Sequence, residues 1–141
     1  MGYCELADIL GVMDEEDVIQ YTNDADGTGV VMDKVDQAIA GATALIDAHL
    51  GRRYAVPLEP VPELIRDLAC EIAAYKISGR KSAAPEEWRQ RYKDGVRVLE
   101  RLGDGKSVIP GAVAMGSGKS SHSVKFSSCP RIFDRKSMGG W

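Results

Sequence analysis

The stretch TNDADGTGVVMD, residues 22–33, sets Asp24 and Asp26 ahead of Gly27 as a calcium loop sets oxygen ligands around a sharp turn. Its first ligand position would hold Thr22, and its last holds Asp33 where such loops use a bidentate glutamate. Asp and Gly also dominate ordinary turns, so the stretch reads first as a surface loop, with calcium binding as a rival. GSGKSS, residues 116–121, resembles the end of a phosphate-binding loop, but Val113 stands where the leading glycine belongs. With no buried strand before it and no periodic helix after it, it reads as a linker. His49 and His122 are the chain's two histidines, and spacing gives neither the orienting partner that acid–base catalysis needs. The run Asp14-Glu15-Glu16-Asp17 suits the solvated first turn of a helix better than a metal site. Cys4, Cys70 and Cys129 are odd in number and far apart, with no Cys-x-x-Cys pair, so neither a disulfide framework nor a zinc site is supported. No catalytic residue, metal or cofactor is assigned, and the chain is not expected to be an enzyme.

A chain of 141 residues, 44% hydrophobic and 28% charged, fits one soluble globular domain with appendages. No apolar run approaches the roughly 20 residues that span a bilayer. The N-terminus lacks a signal-peptide pattern, and Leu6 stands where a myristoylation motif wants Ser or Thr. The protein is therefore expected in the cytoplasm where it is made. The formal charge of −3 is unevenly spread: residues 111–141 carry five bases against Asp134, a net of +4, which leaves −7 on the first 110. An acidic body with a basic tail suggests a tail that reaches for something negative, such as the body of a neighbouring copy.

Two short helices are predicted at 5–11 and 14–21, the second N-capped by Asp14. Val35, Ile39, Ala42, Ile46 and Leu50 follow helical spacing and predict a long amphipathic helix over 33–50. Pro57, Pro60 and Pro62 forbid helix from about Tyr54 to Val61. Ile65, Leu68, Ala69, Ile72 and Tyr75 make the apolar stripe of a helix over 62–78, on which Cys70 reads as a small core residue. Pro85 and two glutamates open a third main helix over 85–102, with Trp88, Tyr92, Val96 or Gly95, Leu99 and Leu102 inward. Beyond Pro110 the chain is rich in Gly and Ser, with VKF at 124–126 and RIF at 131–133 as short extended segments. The fold class is thus mainly α: a small bundle of three main helices with a short helical N-terminal segment, residues 1–110, and an extended C-terminal arm, residues 111–141.

Between the first two main helices lies LIDAHLGRRYAVPL, residues 45–58. Gly51 comes where a C-terminal glycine cap belongs, and Arg52 and Arg53 follow where cations suit the carbonyl end of the helix dipole. Tyr54 is expected to pack its ring back on the core and Pro57 to start the crossing. This reads as a structural junction. Arg80, Lys81 and the arginines of the third helix could serve nucleic acid, but a pI near 5.4 and interleaved glutamates argue against a dedicated DNA binder.

Three blocks carry a resemblance: IQYTND (19–24), AIAGATALIDAHLGRRYAVPLEPVPELIRDLACEIAAYKI (38–77) and RYKDGVRVLERLGDGK (91–106). Together they resemble a family of small Mu-like phage proteins of unknown function. More remotely they are similar to the helical head-tail adaptor, or connector, proteins of long-tailed phages. The likeness covers roughly residues 1–110, FSSCPRIFDRKSMGGW resembles the family's C-termini, and 111–125 carries none. What the resemblance implies is a virion structural protein of the head-tail neck, acting in head completion. It would form a dodecameric ring between the portal protein and a tail-side neck or tail terminator protein, passing DNA through its channel without sequence readout, and touching no membrane. The partner-binding residues are then expected in the arm: Phe126, Ile132, Phe133 and Trp141 as apolar anchors, and Arg131, Arg135 and Lys136 against acidic surfaces, folding on binding. The alternative is a small phage DNA-binding or regulatory protein.

Overall fold

A computed structural model describes residues 2–115. Within them the chain forms five helices and no strand: α1 (Leu6–Leu10), α2 (Glu15–Thr22), α3 (Met32–Leu50), α4 (Glu63–Ser78) and α5 (Glu86–Gly103). The protein is mainly α, as the apolar periodicity predicts, and each helix boundary falls within one or two residues of expectation. Pro62 and Pro85 are the N-caps of α4 and α5 rather than their first helical residues. A proline there loses nothing, because the N–H it lacks would have had no intrahelical partner. Asp14 is the N-cap of α2, but its carboxylate makes no capping bond. The three acids after it, Glu15 to Asp17, favour that end through the dipole instead.

The core is organised around α4. Nine of its sixteen residues are buried, Ile65, Leu68, Ala69, Cys70, Ile72, Ala73, Ala74, Ile77 and Ser78, too many for one apolar stripe. At 100° per residue these positions wrap most of the helix, so it must be covered from several sides. It is covered by α3, α5, α1 and α2, all of which pack against it. Toward α5, Leu68 faces Gly95 and Tyr75 stacks on Tyr92 with ring centroids 4.3 Å apart. Toward α3, the Lys76 stem lies across Gly41. Cys70, on the far side of the helix from Leu68, meets Cys4 of the N-terminal segment. The small residues Ala69, Cys70, Ala73 and Ala74 let these neighbours approach closely, and Ile9, Val18, Val35, Ile46 and Leu99 complete the same cluster. Of the two candidates on α5, Gly95 is the buried one and Val96 is half-buried.

α3 and α5 end side by side. A Cβ on Gly103 would come within 2.5 Å of the His49 carbonyl oxygen, so glycine permits the approach. The chain then returns past this end: Ile109 is fully buried, and Ala114 forms an isolated antiparallel bridge with Tyr54. The short extended segments anticipated at 124–126 and 131–133 lie outside the described residues. Among the described residues no helix is long and apolar enough to cross a membrane.

Burial this complete makes α4 sensitive to volume changes in both directions. Ile72→Ala, which empties a fully buried site on α4, should lower unfolding free energy by about 2–5 kcal/mol. Ala73→Leu should cost about 1–3 kcal/mol by overpacking, and urea unfolding followed by circular dichroism measures both.

Candidate functional site

The junction after α3 is the polar centre of one end of the bundle. Gly51 ends the helix with φ −60° and ψ −14°, a right-handed conformation, so it is not the left-handed cap that its position suggests. The turn closes through the backbone: the Gly51 N–H donates to Asp47 at 2.8 Å, and the Arg53 and Tyr54 N–H groups both donate to the Leu50 carbonyl. With those carbonyls satisfied, neither arginine caps α3, and both side chains turn toward the end of α5. Arg52, largely exposed, pairs loosely with Asp104 at 3.8 Å. Arg53 lies against Gly105, whose φ of +77° and lack of a Cβ leave room for the guanidinium, while its buried Nε has no partner among the described residues.

Tyr54 is fully buried, and its hydroxyl accepts the Ile109 N–H at 3.3 Å. Pro57 follows a cis Val56–Pro57 bond and lines a shallow apolar groove with Leu58, Pro60, Pro110 and Val113. A second tyrosine, missed in the sequence, completes the junction. Buried Tyr3 donates its hydroxyl proton to Asp47 Oδ1 and accepts the Leu58 N–H at 3.1 Å. Burial, and then the bond to Asp47, push its phenol up to about 12. Tyr3 thus ties the N-terminus, α3 and the proline loop together, and Tyr54 ties in the segment that follows α5.

At the opposite end of α3 the loop 23–31 is held by its own bonds. The Thr22 hydroxyl donates to the Val18 carbonyl and accepts the Val31 N–H, closing the loop at its base. Asn23 Oδ1 accepts the Ala25 and Asp26 N–H groups, and its amide donates to Asp26 and to the Gly29 carbonyl. Arg80 reaches across from the end of α4 to the Tyr21 and Thr22 carbonyls and to Asp24 at 2.9 Å. Lys81 adds bonds to the Gln20 and Asn23 carbonyls. The hydrogen bond from Arg80, with its charge, holds the Asp24 carboxyl below the usual range. The Thr22, Asp24 and Asp26 oxygens are therefore engaged with protein groups, and no cluster of three or more metal-ligating side chains occurs among the described residues.

His49 is half-buried in a shallow depression with Arg52, Glu100 and Asp104, and among the described residues no hydrogen bond orients its ring. Most α5 cations answer to acids on the same helix: Arg89 to Glu86, Arg91 to Glu87 and Arg97 to Asp94. Along α3 runs an open groove of about 500 Å³ between Asp36 and Asp47, floored by Ile39, Ala40, Thr43 and Ala44. The arm residues Phe126, Arg131, Ile132, Phe133, Arg135, Lys136 and Trp141, with His122, Cys129 and GSGKSS, lie outside the described residues.

The sequence profile of the family described as Bacteriophage Mu, Gp36 matches residues 3–127. The chain belongs to that family. This Gp36-family match runs past residue 110 and through 111–125, where the sequence by itself carried no resemblance. Gene product J of Escherichia phage Mu is 35% identical over 106 residues, 74% of this chain and 73% of that protein. The Mu-like prophage FluMu protein gp36 of Haemophilus influenzae is 35% identical over 92 residues, 65% of this chain and 60% of that protein. The family places the chain among bacteriophage proteins, and both the junction and the Arg80–Lys81 clasp fall inside the matched span.

Two tests follow from these contacts. Tyr3→Phe strands the buried Leu58 N–H and should cost about 1–3 kcal/mol. The unfolded phenol ionises near 10 and the folded one near 12, so wild-type stability should fall as pH climbs through that window, and the variant should lack that step. Arg80→Ala should remove the clasp on α2 at a cost of about 1 kcal/mol, since the site is partly exposed. Amide hydrogen exchange should show the loss of protection in α2 ahead of α4.

Proposed function

We propose that this Gp36-family protein is a phage virion structural protein: a head-tail adaptor, or connector, that acts in head completion. In this reading copies of the chain form a dodecameric ring in the neck, assembled in the host cytoplasm, between the portal protein and a tail-side neck or tail terminator protein. The ring extends the DNA channel without reading sequence and performs no chemistry, so it needs no cofactor. The observation that carries the reading is the helix–junction–helix block of α3 and α4, through which this Mu-family chain resembles connector proteins.

The geometry supports it in a second way. The junction's hydrogen bonds fix the end of α3 to the N-terminal segment, the proline loop and the segment after α5, giving a tied body suited to serve as a platform. Its acidic surface complements the basic arm, in which Arg131, Arg135 and Lys136 supply charge and Phe126, Ile132, Phe133 and Trp141 supply apolar anchors. The DNA-binding alternative draws less support, because Arg80 and Lys81 are engaged by the α2 carbonyls and most α5 arginines by neighbouring acids.

Negative-stain microscopy of the purified protein mixed with its portal tests the proposal, with rings seated on the portal as the expected result. Phe133→Ala/Arg135→Ala should reduce attachment while leaving the melting temperature of the isolated chain unchanged. Undiminished attachment of the double variant would count against the assigned arm residues.

A further inference from the structure

We infer that the groove along α3 is the docking site for the C-terminal segment Arg131–Lys136 of a second copy of this chain. The inference rests on the ring reading above and names the surface that joins neighbours in it. Asp36 and Asp47 are eleven positions apart, three turns of helix, and so lie on one face about 16 Å from each other. Between them Ala40, Thr43 and Ala44 leave a shallow floor above buried Ile39. The groove continues past Asp36 to Met32 and Leu6, and Met32 is half exposed at its end.

The charge on this side of the body has no internal answer. Residues 2–49 hold eleven acids and one base, Lys34. Of those acids only Asp24 has a cationic partner among the described residues. Asp47 accepts the neutral Tyr3 hydroxyl on one oxygen and has no cationic partner among the described residues. Asp36 and Asp47 are thus left for a ligand that brings its own cations.

The segment RIFDRK fits that demand. In extended form successive side chains alternate, so Arg131, Phe133 and Arg135 share one face, with the arginines about 13 Å apart. Phe133 then lies on the Ala40–Ala44 floor, and the arginine side chains span the remaining few ångströms to Asp36 and Asp47. Small floor residues are what admit a phenylalanine ring here, since a larger side chain at 40 or 44 would fill the groove. The described body ends at Met115 beside Arg53, and the fifteen residues between Met115 and Arg131 allow about 50 Å of extended reach. That reach is long enough for the segment to pass beyond its own body to a neighbour. The contact is heterologous, tail of one copy to groove of the next, which is the kind that closes into rings.

The test pairs two full-length variants. One keeps the groove and loses the tail anchors, Phe133→Ala/Arg135→Ala. The other keeps the tail and loses the groove, Asp36→Arg/Ala44→Arg. The tagged tail variant should capture the groove variant. Neither should capture its own kind, and the mixed capture should fall at least about tenfold when salt is raised well above physiological strength. Equal capture in all three pairings, or capture in none, would overturn the proposal. Circular dichroism and melting identify a variant that fails to fold, in which case Ala40→Arg alone replaces the groove pair. Portal attachment by the wild-type chain without any mixed capture would discard the groove and leave the adaptor reading standing. Mixed capture without portal attachment would do the reverse.

Discussion

The burial of α4 on several sides sets the terms for every other element. A helix with an apolar residue at almost every turn position cannot lie on a surface, and α4 carries Ile65, Leu68, Ile72 and Ile77 together with four small residues between them. Its neighbours meet it through small residues of their own: Gly95 on α5 lies against Leu68, Gly41 on α3 against the Lys76 stem, and Cys4 ahead of α1 meets Cys70. The bundle therefore has one arrangement that fills its core. The surfaces left over are set by elimination, with the acidic side of α1 to α3 outward on one flank and the self-paired charges of α5 on another.

Polar contacts then lock the two ends. At one end two buried tyrosines, Tyr3 and Tyr54, accept backbone N–H groups from Leu58 and Ile109, so irregular chain is held as firmly as helix. At the other, Arg80 and Lys81 satisfy the last carbonyls of α2, a task that a C-terminal glycine performs in many helices. Both devices occupy side chains that sequence composition alone would class as surface or ligand-binding groups. Among the described residues, the α3 groove and the acids beside it are left open.

Most of the fold was legible because helices announce themselves locally. The 3.6-residue apolar period, prolines at 62 and 85 and glycines at the ends of α4 and α5 placed the boundaries of α3, α4 and α5 nearly as observed. The inward position of Gly95 rather than Val96 was left open, and packing against Leu68 decides it. The site was less legible, because its contacts join residues 40 to 60 positions apart. Nothing in the spacing of Tyr3, Cys4, Asp47 or Cys70 says that they meet. Arg52 and Arg53 follow a helix end and so read as caps, but the backbone bonds the Asp47 and Leu50 carbonyls and both side chains turn toward the end of α5. One local clue was available for the second clasp: Arg80 and Lys81 sit in a tight break after a buried helix, where long cations can reach back across the bundle.

An adaptor of the kind proposed above should end up in the finished particle. Quantitative mass spectrometry of purified, DNA-filled particles measures this directly, with the portal protein as internal standard. The expected result is the chain in the particle at one copy per portal subunit, retained through high-salt washing. Its absence from particles, with abundance only in the infected-cell lysate, would contradict the adaptor reading.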